Sequence, residues 1–145
     1  PLCEDRLQGY EQALREAGLT VEPALIKQGD FTLASGYDCT AALLAAENPP
    51  TALFCANDEM AIGAMQACHA AGLSLPGDMS VVGFDDIGFA AYTHPRLTTV
   101  HQPRNRIGEQ VMTMMLAMLA GNTPADSRIV LPHELVVRES SAARG

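Results

Sequence analysis

Residues 51–86 read TALFCANDEMAIGAMQACHAAGLSLPGDMSVVGFDD, and this stretch decides the fold. Thr51–Cys55 is a compact apolar run of strand length. Asn57-Asp58 opens a helix over about Glu59 to Ala71, which Gly72 ends. Pro76-Gly77-Asp78 supplies a turn, and Met79–Phe84 is a second buried strand. Two short apolar strands joined by a helix lie parallel, and both faces of such a sheet need cover.

The pattern continues outward on both sides. Upstream, Leu7, Tyr10, Leu14 and Ala17 recur at helical spacing from about Cys3 to Ala17, with Gly18 as the stop. Ala24–Lys27 reads as a short strand, followed by a turn through Gly29-Asp30. Thr32 caps a helix running to about Glu47, which Asn48-Pro49-Pro50 terminates. Downstream, a Gly/Ala/aromatic segment of about one helical turn follows Asp85-Asp86. Leu97–His101 is extended, Arg104–Ala120 has the strongest helical period, and Arg128–Val137 is a last strand. The tail, Ser140–Gly145, is expected to fray. The expected class is α/β: an open parallel sheet with helices on both faces.

Composition fits one domain with its own core. The chain has 145 residues, 48% hydrophobic and 18% charged. Nine Lys and Arg against 17 Asp and Glu give a net charge of −8. Lys27 is the only lysine and the arginines are scattered, so nothing here resembles a phosphate-binding stripe for nucleic acid. Cys3, Cys39, Cys55 and Cys68 form no CxxC pair and are expected to be buried free thiols in a reducing cytoplasm. Pro1 opens no basic-then-apolar leader, so no signal peptide is expected here, and Gln110–Pro124 is too short and too interrupted by polar residues for a membrane span. The abrupt start at Pro1 suggests a piece of a longer protein.

In parallel α/β sheets, ligands bind beyond the carboxyl ends of the strands. Asn57 and Asp58 follow the first quoted strand, Asp85 and Asp86 follow the second, and Gln102 follows Leu97–His101. Phe31 lies just past Ala24–Lys27. Carboxylate, carboxamides and an aromatic face suit a ligand rich in hydroxyls. Duller roles stand beside these: Asn57 or Asp58 as a helix cap only, Phe31 as core, and Arg6 as a solvated arginine. Strand geometry allows at most one of Asp85 and Asp86 to face a pocket. There is no GxSxG, HExxH, GxGxxG or phosphate-cradling loop, and His69, His94, His101 and His133 lack ligand spacing. No catalytic residue, metal or cofactor is therefore expected.

The quoted stretch, with HPRLTTVHQPRNRIGEQ after it and RLQGYEQALREAG and QGDF before it, resembles the LacI/GalR family of bacterial transcription repressors. The resemblance covers nearly the whole chain and implies one lobe of a type I periplasmic-binding-protein-like domain. Residues 1–145 would be the C-terminal effector-binding and dimerisation part. Helix 103–121 would belong in full-length members to a first lobe not present here, with 128–139 as the returning strand and 140–145 as tail. Carried over position by position, the effector-binding residues fall on Arg6, Phe31, Asn57, Asp85 and Gln102. Ile62, Met65 and Tyr92 fall in the region through which members dimerise, although Ile62 and Met65 are equally readable as core.

The AND triplet resembles the sugar-responsive members, whereas PLCEDRLQGYEQAL resembles the cytidine-responsive ones, so a sugar or a nucleoside is the implied effector. The implied mechanism is a ligand-biased shift between two lobe arrangements, with Leu97–His101 among the linkers. Operator DNA would be read only by an amino-terminal helix-turn-helix outside this sequence. The residues also admit a periplasmic sugar-binding protein of an importer, and more remotely an enzyme on the same fold. LPGDMSVVGFDD and HPRLTTVHQP resemble the repressor version. With its usual covering lobe missing, helix Arg104–Ala120 is expected to fold back or to pair with a second chain through Ile107, Val111, Leu116 and Leu119.

Overall fold

The computed structural model describes residues 2–122 and 128–143. Four strands, β1 (Ala52–Phe54), β2 (Ser80–Asp85), β3 (Thr98–His101) and β4 (Glu134–Val136), form one sheet in the order β1-β2-β3-β4. The first three are parallel, with Leu53 opposite Val81 and Val82 opposite Thr98. β4 returns antiparallel to β3, pairing Val100 with Leu135, so the sheet is mixed. The helices are α1 (Leu2–Glu16), α2 (Leu33–Leu44), α3 (Asp58–Ala70) and α4 (Arg104–Leu119).

Both central helices begin as their sequences dictate. Thr32 caps α2 by accepting from the Ser35 amide, and Asn57 caps α3 by accepting from the Met60 amide. α3 lies between the sheet and α2, which is why it is apolar almost all round. Ala61, Ala64, Met65 and Cys68 join Leu43, Leu53, Met79, Val81, Ala90 and Leu97 in the core. α2 and α3 cross at glycines: a Cβ at Gly36 would overlap the Met60 backbone, and one at Gly63 the Leu33 carbonyl. That contact seals the α2–α3 interface by backbone approach.

Several expectations change. Met65 is core, 3% exposed, because it shares one face of α3 with Ala61, Ala64 and Cys68 at i, i+3, i+4 and i+7 spacing. Ile62 is half-buried against the core, while Tyr92 is exposed in a 3-10 turn over Gly88–Tyr92. Ala24–Lys27 is no ladder strand: Pro23–Leu25 makes a 3-10 turn, with proline in its first turn, and Ile26 is extended but outside the sheet. The last strand shrinks from Arg128–Val137 to Glu134–Val136. The tail is pinned as far as Ala142. Buried Ser140 donates to the Val81 carbonyl and accepts from the Thr98 amide, where it closes the amino end of the β2–β3 seam. Residues 144 and 145, and the Cys3 side chain, lie outside what is described. Cys39 and Cys55 are only half-buried, and Cys68 is fully buried.

α4 neither folds back nor buries a residue: Val111 and Leu116 are more than half exposed, and Ile107 is over a third exposed. No helix among the described residues is long and apolar enough to cross a membrane.

The glycine crossing gives a direct test. Gly63→Ala should destabilise the chain by about 2–3 kcal/mol through overpacking against the Leu33 backbone. Gly9→Ala, in open space on α1, should stabilise it by about 1 kcal/mol through helix propensity. Urea unfolding of the two variants should move in opposite directions.

Candidate functional site

The three parallel strands end side by side, and their next residues are the ones that carry polar groups. Ala56 and Asn57 lie beyond β1, Asp85 and Asp86 at the end of β2, and Gln102 beyond β3. Arg6, one turn into α1, reaches over this edge. Its Nη1 donates to the Ala56 carbonyl, its Nη2 lies 3.4 Å from Asp85 Oδ1, and its guanidinium sits 3.9 Å from the centre of the Phe84 ring. Gln102 Nε2 donates to the same Asp85 Oδ1 at 2.5 Å. Arg6 is thus fixed by a carbonyl, a carboxylate and a ring face at once, and only 13% of its side chain is exposed. It is not a solvated arginine.

Asn57 lies at the same strand edge, with its carboxamide used inside the protein. Its Oδ1 caps α3, and its Nδ2 donates at 2.9 Å to the Phe31 carbonyl. Both ends of the carboxamide are engaged, so capping is its observed role, together with fixing Phe31. That residue has φ 68° and is 40% exposed. Hydrogen bonds therefore run continuously from Phe31 through Asn57, and from the adjacent Ala56 through Arg6 to Asp85 and Gln102.

Asp85 and Asp86 also occupy the left-handed region, at φ 111° and 51°. Each such non-glycine residue costs roughly 1–3 kcal/mol unless its surroundings hold it. The two carboxylates diverge, although the extended strand geometry stops at Asp85. Asp86 turns away from Asp85 to meet Arg138 at 2.7 Å and His101 Nδ1 at 2.9 Å. Burial pushes the Asp86 carboxyl up, but hydrogen bonds and charge from Arg138 and His101 outweigh it and hold the group below its usual range.

Asp58, the last residue of the AND triplet, is fully buried. It accepts from Thr99 Oγ1 at 2.5 Å and from the Ile87 amide at 2.8 Å. Burial raises its pKa, and those two hydrogen bonds oppose the rise. Behind the site, burial above all pushes the Cys55 thiol up to about 12, so it is a poor nucleophile at neutral pH.

Sequence reading missed three positions: Asp58 as a buried tie, and Arg138 and His101 as partners of Asp86. An aspartate directly after an asparagine cap, ahead of a mostly apolar helix, was a usable signal for the first. The other two depend on contacts between distant segments. Beside the site, Arg6, Gly9, Tyr10, Phe54 and Phe84 line an open groove of 620 Å³ between α1 and the sheet, with Tyr10 stacked on Phe54.

Comparisons with known proteins agree with this architecture. The model of the periplasmic binding protein-like domain matches residues 2–141. The HTH-type transcriptional repressor CytR of Escherichia coli K12 is 42% identical over 143 residues, covering 99% of this chain and 42% of the repressor. The HTH-type transcriptional repressor PurR of Haemophilus influenzae is 41% identical, covering 93% of this chain and 41% of the repressor. The chain thus spans less than half the length of these curated relatives.

Among solved structures, a LacI-family regulatory protein from Chloroflexus aggregans superposes with TM-score 0.88 at 37% identity, covering 96% of this chain and 50% of that one. A complex of the transcriptional regulator CelR with cellobiose gives TM-score 0.90 at 37% identity, covering 94% and 42%.

Two measurements check the site's internal ties. Asp58→Ala leaves the Ile87 amide and the Thr99 hydroxyl without their partner and should cost about 2–4 kcal/mol. Asp58→Asn, able to accept from one and donate to the other, should cost about 1 kcal/mol. Equal losses would show that those bonds do not matter. The pH test concerns Asp86, whose folded pKa lies below the unfolded value. Its stabilisation is present above the usual carboxylate range and is lost as pH falls through its folded value. The stability gap between the native chain and Asp86→Asn should therefore be full at neutral pH and shrink in acid below the ordinary aspartate pKa of about 3.9.

Proposed function

This chain belongs to the periplasmic binding protein-like domain family, and from that premise we propose that it is the effector-binding part of a bacterial LacI-type transcriptional regulator. It senses a small uncharged sugar or nucleoside in the cytoplasm, and an amino-terminal helix-turn-helix outside this sequence reads operator DNA as a homodimer. The observation that carries this reading is the convergence of Arg6, Asp85 and Gln102 at the ends of parallel strands from three separate parts of the chain.

The chemistry narrows the ligand. Both donors to Asp85 meet at Oδ1, so Oδ2 is presented to accept from ligand hydroxyls, and Gln102 Oε1 is a second acceptor. The exposed Phe31 ring offers an apolar face to a sugar or base. The arginines at the aspartate pair already donate to the protein: Arg6 to Ala56 and Asp85, Arg104 to the Asp86 carbonyl, and Arg138 to Leu97 and Asp86. Their charge is already largely balanced by the two aspartates, which favours neutral ligands.

The relatives support regulation over transport. The curated sequence relatives are named repressors, and one structural neighbour holds cellobiose. A regulator that shifts between lobe arrangements needs only differential affinity for them.

Thermal-shift screening of the intact protein against pentoses, hexoses, purines and nucleosides, each with its phosphorylated form, tests this reading. A neutral sugar or nucleoside should raise the melting temperature in proportion to the logarithm of its concentration, and its phosphate ester should not. Asp85→Asn should weaken the hit about ten- to a hundredfold, the size of losing a charge-assisted hydrogen bond. Turnover of the ligand would instead favour an enzyme. Preference for the phosphate ester would refute the neutral-ligand assignment.

A further inference from the structure

Asp85 meets Arg6 and Gln102 from a backbone conformation that aspartates seldom adopt, and those two contacts hold only its side chain. The explanation lies one residue on. Asp86, also left-handed, is held at four points: its Oδ1 by Arg138 at 2.7 Å, its Oδ2 by His101 at 2.9 Å, its amide by Thr99 Oγ1 at 3.4 Å and its carbonyl by Arg104 at 2.9 Å. Arg138 is itself anchored before it reaches Asp86. Its amide donates to Thr98 Oγ1 at 2.9 Å and its Nη1 to the Leu97 carbonyl at 2.8 Å, and both of those residues are buried. A fork held at the start of β3 thus pulls the Asp86 carboxylate to one side of the strand end.

We propose that Arg138 is a positioning residue for effector binding: by gripping Asp86 it keeps the Asp85–Asp86 pair left-handed and so points the Asp85 carboxylate at Arg6, Gln102 and the ligand. Strained conformations persist only where their surroundings over-determine them. Without Arg138 the Asp86 carboxylate keeps His101 alone, the backbone relaxes, and Asp85 leaves Gln102. Lysine at 138 cannot reach both the Leu97 carbonyl and Asp86 with a planar fork, so it restores the grip only in part.

The inference rests on the reading of Asp85 as an effector ligand, and two readouts separate the claims. The first is hydrogen exchange at the Asp86 and Ile87 amides of the intact protein, whose acceptors are Thr99 and Asp58. The second is calorimetric titration with cytidine and with D-ribose as probes. Arg138→Met should speed exchange at 86–87 at least tenfold while leaving β1 unchanged, and should weaken any probe that binds the native protein tenfold or more. Arg138→Lys, the variant to rely on if the methionine form does not fold, should fall between.

The decisive variant is Arg138→Met combined with Asp86→Gly. Glycine accepts φ 51° without a clamp, so it should return most of the lost affinity. A merely structural arginine would show no such rescue. Unchanged exchange and affinity in Arg138→Met, or no recovery in the double variant, would overturn the proposal. If neither probe binds the native protein, the effector reading loses those ligands, and the exchange rates alone decide for or against the positioning.

Discussion

A buried carboxylate holds this lobe together. Asp58 sits at the first turn of α3 with no exposed surface, where an isolated charge would be costly. It is tolerated because two donors from different elements, the Thr99 hydroxyl and the Ile87 amide, reach it, and because the amino end of α3 favours negative charge. A side chain at Gly83 would collide with it, so the glycine of the VVGF strand is what lets α3 approach β2. The consequence is positional: β3 and the loop after β2 are registered against the start of α3, and Asp85 ends the strand from which that loop, beginning with Asp86, departs.

The neighbours of Asp58 extend the same logic. Ala56 offers its carbonyl to Arg6, Asn57 ties Phe31 while capping the helix, and Asp58 ties β3. Three consecutive residues therefore fasten three separate parts of the chain. No one of them need touch a ligand for the triplet to decide where ligand-facing groups stand. This accounts for the outcome at Asn57, where the capping role and the site role coincide in one carboxamide.

How much of this was legible depended on the range of the interaction. Short-range chemistry was readable: the Thr32 and Asn57 caps and the parallel order of the central strands follow from local rules. Neighbour-dependent features were not. α2 and α3 meet by a backbone approach at Gly36 and Gly63 that hydrophobic pattern does not encode. Ala24–Lys27 has strand composition, but Pro23 starts a 3-10 turn and no ladder forms. The tail has the composition of a frayed end, yet Ser140 fills a seam that exists only once β2 and β3 are paired.

The charge distribution shows the same limit from another side. Along the sequence the nine cations are scattered in a chain of net charge −8, which excludes a phosphate-binding stripe. In space, Arg6, Arg104 and Arg138 come together around the two aspartates from α1, from the start of α4 and from the segment after β4. Two adjacent carboxylates at a strand end would repel and resist desolvation, and three arginines from distant segments remove that penalty. Each arginine also donates to a backbone carbonyl, so each neutralises charge and fixes geometry with the same group. An acidic chain thereby builds a nearly balanced site, in which orientation comes from the protein's own ion pairs and the remaining acceptors are left to select the ligand.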